Sequence, residues 1–367
     1  MRGRWLGVVL TGVVACSGTT TATPSDPTFD SFLVAVAPGA WRANGEERIE
    51  VWVCHVPPDT TAGVYGGLPL RLPLTPTDLV AALATGVTTY FETVSHDQYS
   101  PRFVAGGEVQ MTEADEPQAC IDEAISGAAT HTRAVIVVAD AEHAAGQPGG
   151  FSSGGDPCPA DPPCGVAQSR RFVYIGASDF HPDWGADPPL DLVEHELGHD
   201  LGWVHSGFDA TATIPYLSAL DVMSNSAAPR EIDPERRDAP DTLAVQRLIA
   251  GWLTAADVLV APPGGGSATL QPSTGSEGLR LLVLPVDAVS FLAVEVLTAD
   301  GFNAHLPADG VAVHLVTLEG VTVLPMEPLV GDPPFTDLLQ PSESLVTHGW
   351  SITVGDGWRV SAEPTSA

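Results

Sequence analysis

Three histidines and one glutamate, within eleven residues of the sequence, have the spacing of a catalytic metal site. His195 and His199 are four residues apart, so on a helix their imidazoles project from one face, one turn apart. Glu196 stands beside the first histidine, where it can contact a metal-bound water rather than the metal itself. Gly202 allows the chain to turn sharply out of the helix, so that His205 returns as a third ligand.

Three nitrogen ligands that leave one position open are typical of a catalytic zinc site rather than a closed structural one. Such an ion polarises a carbonyl and lowers the pKa of a bound water to about 7. Glu196 would take the proton of the attacking water and later deliver it to the leaving amine. We therefore predict Zn²⁺ as the cofactor, His195, His199 and His205 as its ligands, and Glu196 as the catalytic residue.

The elements around the motif must hold these side chains in place. Apolar and alternating runs predict strands at residues 47–56, 102–111, 134–138 and 172–176. Helical spacing predicts helices over 79–94, 117–129 and 190–204, and a Gly/Pro/Asp-rich stretch predicts a long loop over 144–169. This order predicts an α/β (α+β) domain with a twisted mixed sheet. We expect an edge strand within 165–176 to hold an extended substrate by strand addition.

The C-terminal third has a different pattern. A helix is expected over residues 241–253, and a Pro/Gly-rich stretch at 261–266 then interrupts the sequence. Short apolar runs with turn signals between them follow at 268–270, 279–284, 290–297, 310–316, 321–324 and 350–354. They predict a small all-β sandwich. We place the catalytic domain at residues 46–256 and the sandwich at 257–367.

The N-terminus predicts export. Two arginines precede an apolar run over residues 5–14, which has the length of a secretion signal and is short for a bilayer span. The run ends in Val-Val-Ala before Cys16, which resembles a bacterial lipobox. We expect residues 1–15 to be removed, Cys16 to be lipidated, and residues 16–45 to tether the protein to the outer face of a bacterial membrane. Ordinary signal cleavage with secretion and no lipid is the alternative.

The cysteine count fits an oxidising compartment. With Cys16 assigned to lipid, four cysteines remain for two disulfides. Cys158 and Cys164 bracket a short proline-rich loop and would pair locally, which leaves Cys54 and Cys120 to pair by elimination. The two other pairings, and free thiols, stay open.

The charge balance restricts the partners. The net charge is −31, which argues against nucleic acid, because phosphate binding requires a basic surface. Such a charge suits a soluble, self-repelling exported protein, which we expect to be a monomer. Asp-rich loops at 156–161 and 183–191 could bind Ca²⁺ through oxygen ligands. Neither has the Asp-x-Asp-x-Asp-Gly pattern, so solvated acidic side chains are the default interpretation.

The motif resembles that of the metzincin clan of zinc peptidases, His-Glu-x-x-His-x-x-Gly-x-x-His followed by a Met-turn. All five fixed positions match. Met223, eighteen residues beyond His205 in Asp-Val-Met-Ser, resembles the Met-turn methionine, which packs beneath the metal without binding it. The resemblance implies a metzincin-like fold, a polypeptide substrate and zinc metalloendopeptidase activity.

Further segments are loosely similar to gametolysin-like and immune-inhibitor-A-like secreted peptidases, at residues 247–253, 291–296 and 306–311. Some metzincins have a tyrosine ligand two residues after the Met-turn methionine; Asn225 stands there, so we expect no ligand from that position. The main alternative function is a non-catalytic zinc-containing surface lipoprotein that acts as a binding scaffold. Glu196 speaks against it, because a degenerate member would be expected to lose the general base. A hydrolase of non-peptide amides or esters is disfavoured by the resemblance alone.

Overall fold

The computed structural model describes residues 43–58, 72–112, 116–141, 149–153, 170–177, 189–208, 216–287, 290–317, 320–323 and 338–365. The predicted signal segment, Cys16, most of the tether, the Cys158–Cys164 pair, the 156–161 loop and most of the 183–191 loop lie outside these residues. Among the described residues, no helix combines the length and the apolar character needed to cross a bilayer.

The first half of the molecule is built on one five-stranded sheet. Its strands are β1 (Gly45–His55), β2 (Tyr99–Gln110), β3 (Ala134–Ala139), β4 (Gly150–Ser152) and β5 (Arg171–Ile175). They lie in the order β2-β1-β3-β5-β4, all parallel except β4, which runs antiparallel to β5. Helix α1 (Pro76–Ser95) lies in the connection from β1 to β2, and helix α2 (Pro117–Gly127) lies in the connection from β2 to β3. The predicted mixed α/β arrangement is confirmed at this level.

The central strand β3 is buried on both faces. Ile136 and Val138 belong to the main apolar cluster on one side of the sheet, and Val135 and Val137 belong to a second cluster on the other. An unbroken run of apolar residues is what a parallel strand covered on both faces requires. The two-fold alternation of side chains along the strand divides this run between the two clusters.

The prediction that residues 165–176 contain an edge strand is wrong. Strand β5 lies inside the sheet, between β3 and β4, and β4 is the edge strand among the described residues. The sequence did not indicate β4, because three residues of Gly-Phe-Ser within a Gly-rich stretch carry no alternating pattern.

Helix α1 covers one face of the sheet. Thr75 caps its start, with its hydroxyl oxygen accepting from the Asp78 amide at 3.2 Å. Its buried side chains recur every three or four residues along one stripe, at Leu79, Leu83, Val87, Phe91 and Val94. This stripe joins the main apolar cluster that also contains the motif helix.

A disulfide fixes α2 to the sheet. Cys54 near the end of β1 is bonded to Cys120 in α2, with a Cα–Cα distance of 5.9 Å, and both side chains are buried. This pairing, expected from elimination, is confirmed.

Two further sheets form the C-terminal third. The middle sheet contains β6 (Val258–Val260), β8 (Leu281–Pro285), β9 (Phe291–Leu297), β10 (Gly310–Thr317) and β11 (Gly320–Val323), in the order β11-β10-β9-β8-β6. It is antiparallel except for the β6–β8 pair. The outer sheet is wholly antiparallel and contains β7 (Gly266–Thr269), β12 (Ser344–Thr347), β13 (Trp350–Val354) and β14 (Arg359–Pro364), in the order β12-β13-β14-β7.

The middle sheet is buried on both faces. Along β9, Leu292, Val294 and Val296 face the outer sheet in one apolar cluster, whereas Phe291 and Ala293 belong to the main cluster of the first half. The apolar core is therefore continuous across residues 256 and 257, where the domain boundary was placed. That boundary itself stays a prediction.

Candidate metal centre

The motif residues lie on α3 (Asp191–Asp200) and on the turn that follows it. The helix ends four residues earlier than expected, because Gly202 adopts a left-handed φ of +85°. The Gly202 amide donates to the His199 carbonyl at 2.8 Å, and the Trp203 amide donates to Gly198 at 3.0 Å. These are the two bonds of a Schellman cap. The cap reverses the chain and returns His205 towards the helix.

The three predicted ligands converge. The candidate ligand atoms of His195, His199 and His205 all lie within 4.8 Å of one another, and the Nε2 atoms of the last two are 2.8 Å apart. This triad could hold one metal ion. Within the described ranges, no other group of three or more His, Cys, Asp or Glu residues has this arrangement.

Two backbone carbonyls orient the imidazoles. His195 Nδ1 lies 2.7 Å from the Val222 oxygen, and His199 Nδ1 lies 2.9 Å from the Trp203 oxygen. A carbonyl can only accept, so each Nδ1 carries the proton and each Nε2 keeps its lone pair. The lone pairs therefore lie on the nitrogens that a metal would use.

The imidazoles are held neutral. Burial, reinforced by the neighbouring His199 ring, lowers the pKa of His195 to about 3. The same two causes lower the pKa of His205 to about 4, and burial lowers the pKa of His199. The neutral imidazole is the form that binds metals. The triad is therefore ready for a cation at any pH near neutrality.

Met223 occupies the predicted turn and is fully buried. The turn is closed by the Ser224 amide, which donates to the Asp221 oxygen at 2.9 Å. The Met223 sulfur lies against α3, where a Cβ at position 198 would be 2.6 Å from it. Glycine at 198 is therefore needed for the turn to approach the helix. The neighbouring Val222 carbonyl, not marked by any motif, makes the contact with His195.

The side chain of Glu196, a residue of α3, lies against the edge strand β4. This side chain is buried, and a Cβ at Gly150 in β4 would be 2.7 Å from its Cγ and 3.0 Å from its Oε1. Because Gly150 has no side chain, there is room at this position for the Glu196 carboxylate. The structure thus places the predicted general base against the edge of the sheet.

Tyr216 is the site residue that sequence reasoning missed. Its hydroxyl lies 3.0 Å from His205 Nε2, and its ring centroid lies 5.9 Å from that of His195. The side chain is partly exposed, and burial together with the Glu196 carboxylate raises the pKa of the phenol, so it stays protonated. The only sequence signal is that Tyr216 is one of two aromatic residues between His205 and Met223.

A buried polar network anchors the C-terminal end of α3. The Ser153 hydroxyl donates to the Asp200 carboxylate at 3.2 Å, and the Arg171 guanidinium donates to the Asp200 carbonyl at 2.6 Å. Arg171 also pairs with Glu47, which accepts from the Tyr99 hydroxyl at 2.8 Å. Burial raises the pKa of Asp200 to about 7, against the opposing effect of Arg171. The network ties the helix to β1 and β5.

No protein-family model matches the sequence, and no curated protein does. Among solved structures, the chain is similar to one from a structure of a chaperone–substrate complex, at 12% identity and a TM-score of 0.26. The similarity covers 58% of this chain and 39% of that one, so the chain spans well under half of that protein. A score this low does not establish a shared fold.

Proposed function

We propose that this protein is an exported zinc metalloendopeptidase of the metzincin type, which cleaves polypeptides with Glu196 as general base. One observation carries the proposal: three imidazoles with lowered pKa values, two from α3 and one from the turn after it, converge, and the buried Glu196 follows the first of them along the helix. The metzincin-like motif and the buried Met223 support it.

The donor set fits zinc. Three imidazole nitrogens are typical of catalytic zinc sites, and His195, His199 and His205 would hold the ion. Backbone carbonyls fix the tautomers of the first two. When bound, zinc supplies Lewis acidity, which polarises a substrate carbonyl and acidifies a water.

The chain's own groups would move the proton and stabilise charge. Glu196 accepts the proton of the attacking water and delivers it to the leaving amine. The Tyr216 hydroxyl, beside His205 on the partly exposed side of the site, donates to the carbonyl oxygen as negative charge develops there.

The edge strand offers a place for an extended substrate. Strand β4 pairs with β5 on one side, and no strand among the described residues pairs with its other side. Such an edge can hold a peptide by main-chain hydrogen bonds. Gly150 brings this edge against Glu196, so a peptide added here would pass the general base. This arrangement favours a polypeptide over a small amide or ester.

Digestion of a diverse peptide library by the zinc-loaded protein tests the proposal. We expect cleavage that chelator abolishes and zinc restores. Glu196→Gln should bind one equivalent of zinc but lose about 10³-fold in kcat/KM, because only the proton acceptor is removed. Glu235→Gln, a change of the same kind at an exposed position, should cleave normally.

Two outcomes would contradict the proposal. Zinc bound at one equivalent without Glu196-dependent cleavage of any peptide would favour a binding scaffold. Glu196-dependent hydrolysis of amide or ester substrates, but of no peptide, would favour a non-peptide hydrolase.

A further inference from the structure

A loop of the middle sheet contacts the segments that support the metal centre. This is the β9–β10 loop, residues 298–309. His305 Nε2 donates to the Ala219 carbonyl at 2.7 Å. Asn303 Oδ1 accepts from the Asp241 amide at 3.1 Å. Both contacted residues belong to the segments that form and support the Met223 turn.

From this loop a chain of hydrogen bonds continues to a candidate metal ligand. The Asp241 carbonyl accepts from the Val222 amide at 3.2 Å, and the Val222 carbonyl accepts from His195 Nδ1 at 2.7 Å. Three hydrogen bonds therefore connect Asn303 with His195, and only two residues stand between them. A displacement of the Asp241 backbone would move the carbonyl that orients the imidazole.

The chain lies in a region without competing solvent. Asn303 and Val222 are fully buried, and Asp241 is nearly so. A buried amide or carbonyl that loses its partner has no water to replace it, so such bonds hold their geometry strongly. The same bonds on the surface would exchange with solvent and fix nothing.

Aromatic packing secures the loop on the other side of Asp241. The Phe302 ring lies against Tyr90, with centroids 4.8 Å apart, and the Tyr90 hydroxyl donates to the Pro240 carbonyl at 2.8 Å. Phe302 and Asn303 thus bracket the backbone at residues 240 and 241. The next helix, α5 (Ala244–Ala250), is also fixed from the middle sheet, because the buried Glu295 carboxylate accepts from the Ala244 amide at 3.0 Å.

We infer that Asn303 and His305 are positioning residues for the metal centre: they fix the Met223 turn and, through the Val222 carbonyl, the imidazole of His195. The inference rests on the proposed metal site but not on peptide hydrolysis. The C-terminal third is therefore part of the metal centre's support rather than an independent accessory module.

Metal binding by the full chain tests the inference. We expect His305→Ala and Asn303→Ala to weaken zinc binding by about 10- to 100-fold, as removal of residues that orient metal ligands does. Both variants should also alter the visible absorption of bound Co²⁺, which reports the ligand geometry. His348→Ala removes an exposed histidine of the same C-terminal third and should leave both measurements unchanged.

A conservative variant separates positioning from general stability. His305→Gln keeps an N–H donor for the Ala219 carbonyl, so zinc affinity and the Co²⁺ spectrum should return towards those of the unchanged protein. Thermal unfolding without metal measures the structural cost of each variant. If His305→Ala does not fold, Asn303→Ala and His305→Gln supply the comparison.

The inference is overturned if folded variants lose thermal stability while zinc affinity and the Co²⁺ spectrum stay unchanged. A parent protein that binds no metal would overturn the metal site and the inference together. A parent protein that binds zinc but cleaves no peptide would refute the proposed function alone, and the same titrations would still decide the role of the loop.

Discussion

At the scale of single residues, the carbonyls of Val222 and Trp203 matter as much as the histidines. Each fixes the tautomer and the rotation of one imidazole. The spacing of His195 and His199 predicted the ligands but not these carbonyls, because backbone oxygens have no residue signature. Sequence reasoning therefore identifies what binds at this site and leaves out what orients it.

The lowered histidine pKa values predict how metal affinity depends on pH. Protons compete with metal only near the folded-state pKa, which is about 3 for His195 and about 4 for His205. Burial also lowers the pKa of His199, so we expect zinc affinity to change little from neutral pH down to about pH 6. Competition titration from pH 8 to 5 measures this. An affinity that falls steeply from about pH 6.5, the ordinary histidine pKa, would contradict it.

Removal of the Tyr216 hydroxyl should affect turnover rather than zinc binding. Phenylalanine keeps the ring beside His205 but cannot donate to a developing oxyanion. For Tyr216→Phe we expect kcat to fall by roughly 10²-fold with little change in KM or in zinc affinity. Steady-state kinetics and zinc titration of the same preparation check this. An unchanged kcat would show that the Tyr216 hydroxyl takes no part in catalysis.

At the scale of elements, Gly150 determines how closely β4 approaches the motif helix. A methyl group there would lie 2.7 Å from Glu196 Cγ, so the carboxylate or the strand must move. We expect Gly150→Ala to lower kcat/KM by about 10²-fold, since such a displacement of a catalytic group costs about that much. Zinc affinity should be retained. Ser152→Ala on the same strand is the control, and equal losses in both variants would contradict the argument.

The elements that sequence predicted are those with a strong period or an unbroken apolar run. Strands β1 and β3 and helix α1 are of this kind. Elements without such a pattern were missed, including β4, β6, β12, β14 and the short helix α4 (Ala228–Ile232). Helix α5 begins at residue 244 rather than at the predicted residue 241, and the Glu295 carboxylate accepts from the amide of its first residue. Gly251, in a left-handed conformation, ends the helix.

The candidate site shows the same division. The ligands and Glu196 follow from fixed spacing within one segment, and Met223 follows from the resemblance to the metzincin pattern. Tyr216, Asn303 and His305 are brought to the site only by the folded chain, so no spacing marks them.

At the scale of the whole molecule, the continuous core predicts that the first half does not stand alone. A chain that ends at residue 256 would expose the main cluster where Phe291, Ala293 and Leu297 now cover it. We expect this truncated chain to lack a cooperative thermal transition and to bind zinc weakly. Circular dichroism and zinc titration measure both. Native-like unfolding and full zinc affinity would instead support an independent domain boundary at 256.

The predicted lipid anchor at Cys16 would determine where the whole molecule is located. Cys16→Ala removes the thiol that would carry the lipid while it preserves the export signal. We expect this variant to move from the membrane fraction to the medium or periplasm, with peptidase activity unchanged. Fractionation of the producing cells is the measurement. Unchanged membrane association would refute lipidation.

The contacts of the β9–β10 loop also imply an order in which the metal centre can form during synthesis. Asn303 and His305 are synthesised about a hundred residues after His195. During synthesis, the motif helix therefore leaves the ribosome before the groups that orient its first histidine. We therefore expect nascent chains shorter than about 305 residues to bind zinc poorly, which arrested translation products can show.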